Sequence, residues 1–328
     1  MLTYALIVVL LVLAVCAFFM FRSSAGGMDY PDADKYTVGG ATIPGSVNNL
    51  YVDWTAGKVN IEYHEGTGVI VSETANRDLS PDDQLRWWLD GDTLRVRYAK
   101  PGFRVSVNLE KKLTVSLPAG AVLKSADISS TSGDLYVPAL SADEIRLNST
   151  SGDIDAGVTA RILAASSTSG DVTVLQDSDA DTVAMSSTSG SLSFGTDGSV
   201  KTFRGDSTSG GVSLAVSGTA GDVRMRSTSG NIYPNLVFAE KAEISSTSGS
   251  VTGSVITFKD LKINTTSGSV QVRLGTDPGF TCKVSSASGD FTTDLSFTKD
   301  GNTYTFGDGS AACSIGTSSG DIWVGKPD

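Results

Sequence analysis

The chain has one histidine, His64, among 328 residues. That argues against a histidine metal site or catalytic dyad, and no cofactor motif or other metal-ligand set takes its place. Cysteine is nearly as scarce, with only Cys16, Cys282 and Cys313. Positive charge is in deficit, 25 Lys and Arg against 36 Asp and Glu, which argues against nucleic acid as a partner. The one long hydrophobic run covers residues 5–21, about 25 Å as a helix, at the short end of what spans a bilayer. No Lys or Arg precedes this run and no small-residue cleavage site ends it, so a retained transmembrane helix (residues 1–22) is expected over a cleaved signal peptide. Cys16 reads as lipid-facing packing within it. Arg22 alone flanks the anchor and favours a cytoplasmic body, whereas the hydroxyl-rich, acidic, repetitive composition favours export; the expectation is an extracytoplasmic body.

What the sequence has in abundance is one phrase, Ser-Thr-Ser-Gly-Asp or a near copy. Its glycines are Gly133, Gly152, Gly170, Gly190, Gly210, Gly230, Gly249, Gly268, Gly289 and Gly320, spaced by 19, 18, 20, 20, 20, 19, 19, 21 and 31 residues. Such a period is the signature of a stacked repeat. With glycine as position 0, positions −7 and −5 are apolar (Ile145 and Leu147, Val223 and Met225), as are +2 and mostly +4 (Leu192 and Phe194, Val270 and Val272). A period of two on both sides of a corner predicts two short strands per repeat, each with one buried face. Glycine is expected there for a positive φ, and the Asp, Asn or Ser at +1 for capping of the local backbone. Position −3 is Ser or Thr throughout, from Ser130 to Thr317, and also counts as inward; stacked hydroxyls are expected to satisfy one another.

One coil has too few apolar side chains to offset the ordering of about 19 residues, so stability must come from coil stacking on coil. The fold class expected is all-β: a parallel β-solenoid of about ten coils of 18–21 residues, roughly 45–50 Å long. Residues 23–44 read as a linker. Residues 45–124 read as a β-rich cap that opens with a degenerate coil, because Leu50, Val52, Gly57, Val59 and Ile61 fall in the repeat's columns. Residues 125–328 hold the repeats. The long last spacing contains an inserted hairpin (residues 295–310) around Asp300-Gly301-Asn302, which either covers the far end or leaves it to a partner. With Trp323 facing out of the last coil, end-to-end self-association is one expectation.

The anchor, the opening degenerate coil, Leu-Thr-Val-Ser-Leu-Pro at 113–118, the repeated turn and the closing Thr317-Ser318-Ser319-Gly320-Asp321-Ile322 together resemble the bacterial putative-adhesin domain family. The resemblance covers residues 45–328. It implies a cell-envelope β-solenoid without catalytic residues to carry over, and so a structural or adhesin-like binding module. A polysaccharide-active solenoid enzyme is the alternative; it needs carboxylates clustered in a groove, whereas the acidic residues here stand one per coil at corners.

Three sets of candidate site residues follow. Arg204, Arg224, Lys262 and Lys283 share position −6, with Arg226 beside them, and form a basic stripe suited to an anionic envelope polymer or lipid headgroups; ordinary solvated charge is the plainer reading. The aspartates at +1 have the wrong spacing for a calcium roll, so backbone capping is favoured. Cys282 and Cys313 both occupy −7 of consecutive coils, which predicts adjacent stacked positions and, in an exported body, a disulfide.

Overall fold

The computed structural model describes residues 30–102, 108–277 and 279–327. The expected membrane helix at residues 5–21 lies outside them, and no helix among the described residues is long and apolar enough to cross a membrane. The described chain is all-β apart from one 3-10 turn, Ala33–Lys35, and its dominant architecture is a repeated, parallel, in-register stack.

The apolar columns lie inside. Position −7 is buried in every repeat, from Ala126 through Phe203 and Leu261 to Cys313, and position −5 likewise from Ile128 to Ile315. Each residue faces its counterpart one coil away, as in Leu163↔Val183↔Phe203↔Val223.

The repeat glycines have a different reason from the one expected. None of the ten has a positive φ. Instead, a Cβ on any of them would stand under 3.0 Å from the carbonyl oxygen of the glycine in the adjacent coil. The backbones approach so closely along this column that no side chain fits. The hydroxyls at −3 are buried except Ser286 of the outermost coil, which is half-buried, and they do not bond one another. Equivalent atoms in stacked coils lie about 4.8 Å apart, beyond the reach of an O–H···O bond. Each oxygen instead accepts its own corner's glycine N–H, and from Ser149 onward each also donates to the glycine carbonyl of the neighbouring coil; Gly210 N–H donates to Ser207 Oγ at 3.0 Å, and Ser207 Oγ donates to Gly190 O at 3.1 Å. Gly and Ser thus form one device, which satisfies a corner that the ladder leaves open.

At both ends the order of coils in space departs from the order in sequence. Strand Asn49–Ala56 pairs on one side with Leu123–Ser132 and on the other with Thr93–Arg97; Lys58–His64 lies likewise between Leu135–Ser149 and Lys111–Pro118. The coil of Leu50 and Val52 stacks in register with the first repeat (Leu50↔Ala126, Val52↔Ile128), and a second coil lies beyond it. That second coil is cut by the insertion between Tyr98 and Lys111, which hides its period in the sequence. At the far end the last coil in sequence, with strands Ala311–Thr317 and Ile322–Gly325, inserts between the coil of Gly268 and the coil of Gly289. The last coil is thus paired along both edges, and the free edge expected near Trp323 does not exist. The outermost coil is covered by the hairpin Thr298–Asp300 and Thr303–Phe306, antiparallel to Phe280–Ser286. Its outer strand is three residues long and carries Lys299 and Asp300, which disfavours further edge pairing.

Residues 30–44, expected as a linker, belong to the body. Thr37–Val38 and Ala41–Ile43 pair with Arg86–Asp90 and Val69–Ala75, Ile43 and Tyr36 are buried, and Tyr30 Oη donates to Ala99 O at 3.0 Å.

Candidate functional site

Each coil turns two strands outward, which makes two long faces. On the first, the −6 column runs Arg204↔Arg224↔Glu243↔Lys262↔Ser314↔Lys283 in spatial order. Arg226 is one column over, at −4, where it faces Asp206 on one side and Ser245 on the other. The stripe expected from the sequence is thus divided. Arg204, Arg224 and Arg226 come together, with Arg226 Nη2 paired to Glu243 Oε1 at 3.3 Å. Lys262 is set apart by Glu243, and the inserted last coil places Ser314 between Lys262 and Lys283. Beside the arginines, Asp206, Arg226, Thr228, Ser245 and Asn264 contribute to a shallow polar groove of about 480 Å³.

The second face carries positions +1, +3 and +5. Four of the aspartates at +1, Asp134, Asp153, Asp171 and Asp321, accept from the backbone of an adjacent coil rather than their own: Asp171 N–H donates to Asp153 Oδ1 at 2.8 Å, and Ser191 N–H to Asp171 Oδ1 at 2.7 Å. Among the described residues no three His, Cys, Asp or Glu side chains converge as a metal set. Farther along this face charge disappears. From the coil of Gly190 to that of Gly249 the three columns hold only Ser, Thr, Asn, Gly, Ala and Tyr233. Tyr233 is 44% exposed, and its column continues through Thr252 and Gln271 to Trp323. Of these aromatics at +3 the sequence singles out Trp323 alone, as an end of the stack and not as a member of a column. The signal was available, since Tyr136, Tyr233 and Trp323 all stand three residues after a repeat glycine.

Cys282 and Cys313 are directly opposed in adjacent coils, as their shared column predicts. Both are buried free thiols, with Sγ atoms 3.0 Å apart, and burial pushes the Cys313 thiol well above its ordinary pKa.

Two overlapping stretches, residues 47–174 and 158–325, match the model of the Toastrack DUF4097 family. No curated protein matches the chain. Among solved structures, a putative cell adhesion protein from Clostridium sporogenes aligns over 89% of this chain and 100% of its own, with 13% identity and a TM-score of 0.20. A putative adhesin from Bacteroides fragilis aligns over 88% and 97%, with 15% identity and a TM-score of 0.36. A putative lipid binding protein from Parabacteroides distasonis aligns over 88% and 96%, with 10% identity and a TM-score of 0.40.

Proposed function

The chain belongs to the Toastrack DUF4097 family, and from that premise we propose that it is a membrane-anchored bacterial envelope module whose solenoid body binds rather than catalyses. The observation that carries this reading is the meeting of Arg204, Arg224 and Arg226 on two adjacent rungs of a protein with net charge −11. Guanidinium groups held at the rung spacing of about 4.8 Å suit the repeating negative charges of an anionic polymer or a lipid headgroup surface. Lys262 and Lys283 extend the same column more weakly. An enzyme finds less support, because the repeat aspartates already bond the backbone between coils.

The test is sedimentation of the full-length chain with vesicles of mixed zwitterionic and anionic lipid, and with a soluble polyanion. Binding is expected to weaken as salt rises from about 50 to about 500 mM, and to be abolished by R204E/R224E/R226E. Salt-indifferent binding, or binding untouched by that triple reversal, refutes the assignment.

A further inference from the structure

The second face carries an observation that the basic stripe does not explain. Tyr233 and Trp323 are in one column three rungs apart, about 14 Å at the usual strand spacing. Both rings lie along the sheet rather than standing off it, and for Trp323 a glycine makes the room. The six-membered ring of Trp323 occupies the place where a side chain at Gly325 would begin, and it buries that glycine. The ring of Tyr233 leans toward Gly211, one rung down, and Asn231 Nδ2 donates to Tyr233 Oη at 3.1 Å. Arg273 borders Trp323, with its guanidinium carbon 6.0 Å from the ring centroid.

Around Tyr233 the floor is flat and uncharged. Ser213 and Thr252 flank it along the column, and Asn235, bonded by Ser254 Oγ at 2.9 Å, flanks it across the sheet. A charge-free field several rungs long is unexpected on a protein with 61 charged side chains, 25 basic plus 36 acidic. Elsewhere the outward columns use charge freely, as in Arg161, Asp181 and Lys201, where Asp181 pairs with both neighbours. Solubility alone gives no reason to remove it here.

We propose that this face is a second binding site, for an extended, uncharged polysaccharide. A pyranose ring presents an apolar C–H face, which stacks on an exposed aromatic ring, and a rim of hydroxyls, each donor and acceptor. Amides and hydroxyls such as those of Asn231, Asn235 and Thr252 match that rim in both roles. A charged surface would instead have to be desolvated without gaining a partner. Two flat rings three rungs apart grip separate units of one chain, which selects a polymer over a single sugar. The site is distinct from the arginine groove and does not depend on it.

The experiment is native electrophoresis of the full-length chain, in a nonionic polyoxyethylene detergent, through gels cast with a neutral glucan, a mannan or a xylan. At least one of the three is expected to retard the protein, equally at about 50 and about 500 mM salt. Tyr233→Ala and Trp323→Ala are each expected to weaken the retardation about tenfold, while R204E/R224E leaves it unchanged. Should an alanine variant lose its fold by circular dichroism, Ser213→Arg, which sets a charge on the floor without removing packing, takes its place and is expected to abolish retardation. Retardation by none of the three polymers overturns the proposal. So does retardation that persists in all three face variants, or that disappears at high salt.

Discussion

The interior coils and the two end layers solve the same problem by opposite means. An interior coil has a neighbour on each side, so its glycine column must stay bare and its hydroxyls find the next coil's carbonyls. The layer at the start of the stack has no further coil beyond it, only the antiparallel strands Val69–Ala75 and Arg86–Asp90 along its edges, and there Lys111 stands in the glycine column, directly beyond Gly57. Every repeat Cβ position points toward that end, so the Lys111 side chain leaves across the open face. It is fully buried there: Nζ pairs with Glu73 Oε2 at 2.7 Å, donates to Asp83 O and Tyr98 O at 2.7 Å each, and lies over the rings of Trp54 and Tyr98. Burial pushes its ammonium below the ordinary lysine pKa, with Glu73 opposing. Trp54 and Tyr98 themselves continue the hydroxyl column, Trp54 facing Ser130. The other end is apolar. Phe258 meets Phe280, and Phe280 meets Phe306 of the hairpin, at centroid distances of 5.4 and 4.5 Å. Repetition can stabilise only what has neighbours; an end needs residues used once.

The largest effect is expected in the interior. Gly210→Ala forces a methyl against the Gly190 carbonyl, where only separation of the layers relieves it, and should cost more than about 4 kcal/mol by urea unfolding. A mild loss would mean that the coils are looser than their register implies.

At the lysine end, Lys111→Ala leaves the Glu73 carboxylate buried without its counter-charge, held only by the Leu85 N–H at 2.7 Å, and should cost about 3–5 kcal/mol. The double variant K111M/E73L should recover part of that, because it removes the uncompensated charge but leaves the Leu85 N–H without its acceptor. Failure of the double variant to recover would show that the polar plug is required and that the two ends are not interchangeable solutions.

The smallest expected effect is at the apolar end. If the body is exported, mass spectrometry of unreduced, alkylated protein should find Cys282 bridged to Cys313, contributing roughly 3 kcal/mol or less, since stacked parallel neighbours strain the bond. Two alkylated thiols would leave the hairpin and the phenylalanines as the whole of the lid.

How far the sequence could be read follows from where the period survives. The columns Ala126 to Cys313 and Ile128 to Ile315 could be assigned inward because each repeats ten times, and the same logic placed Leu50 and Val52 correctly. Leu94, Val96, Leu113 and Val115 form an equal coil, but the 12 residues between Tyr98 and Lys111 erase its spacing. The basic stripe was legible as a column, yet its continuity was not. Column membership says nothing of which coil is next in space, and Ser314 separates Lys262 from Lys283 only because the last coil folds back.

By itself, then, the sequence determined the strand period, the inward columns, the stacked cysteines and the family, because these depend on local alternation and fixed spacing. Only the tertiary structure decided the order of the coils at both ends, the role of glycine as clearance rather than as a turn former, and the partners of the buried hydroxyls. It also decided that Tyr233 and Trp323 lie in one column, Tyr233 within an uncharged field and Trp323 at its border beside Arg273. The physical reason is common to all of these: each is set by contacts between coils about 4.8 Å apart in space and some 19 or more residues apart in the chain, and a repeat that writes every coil alike does not say which of them are neighbours.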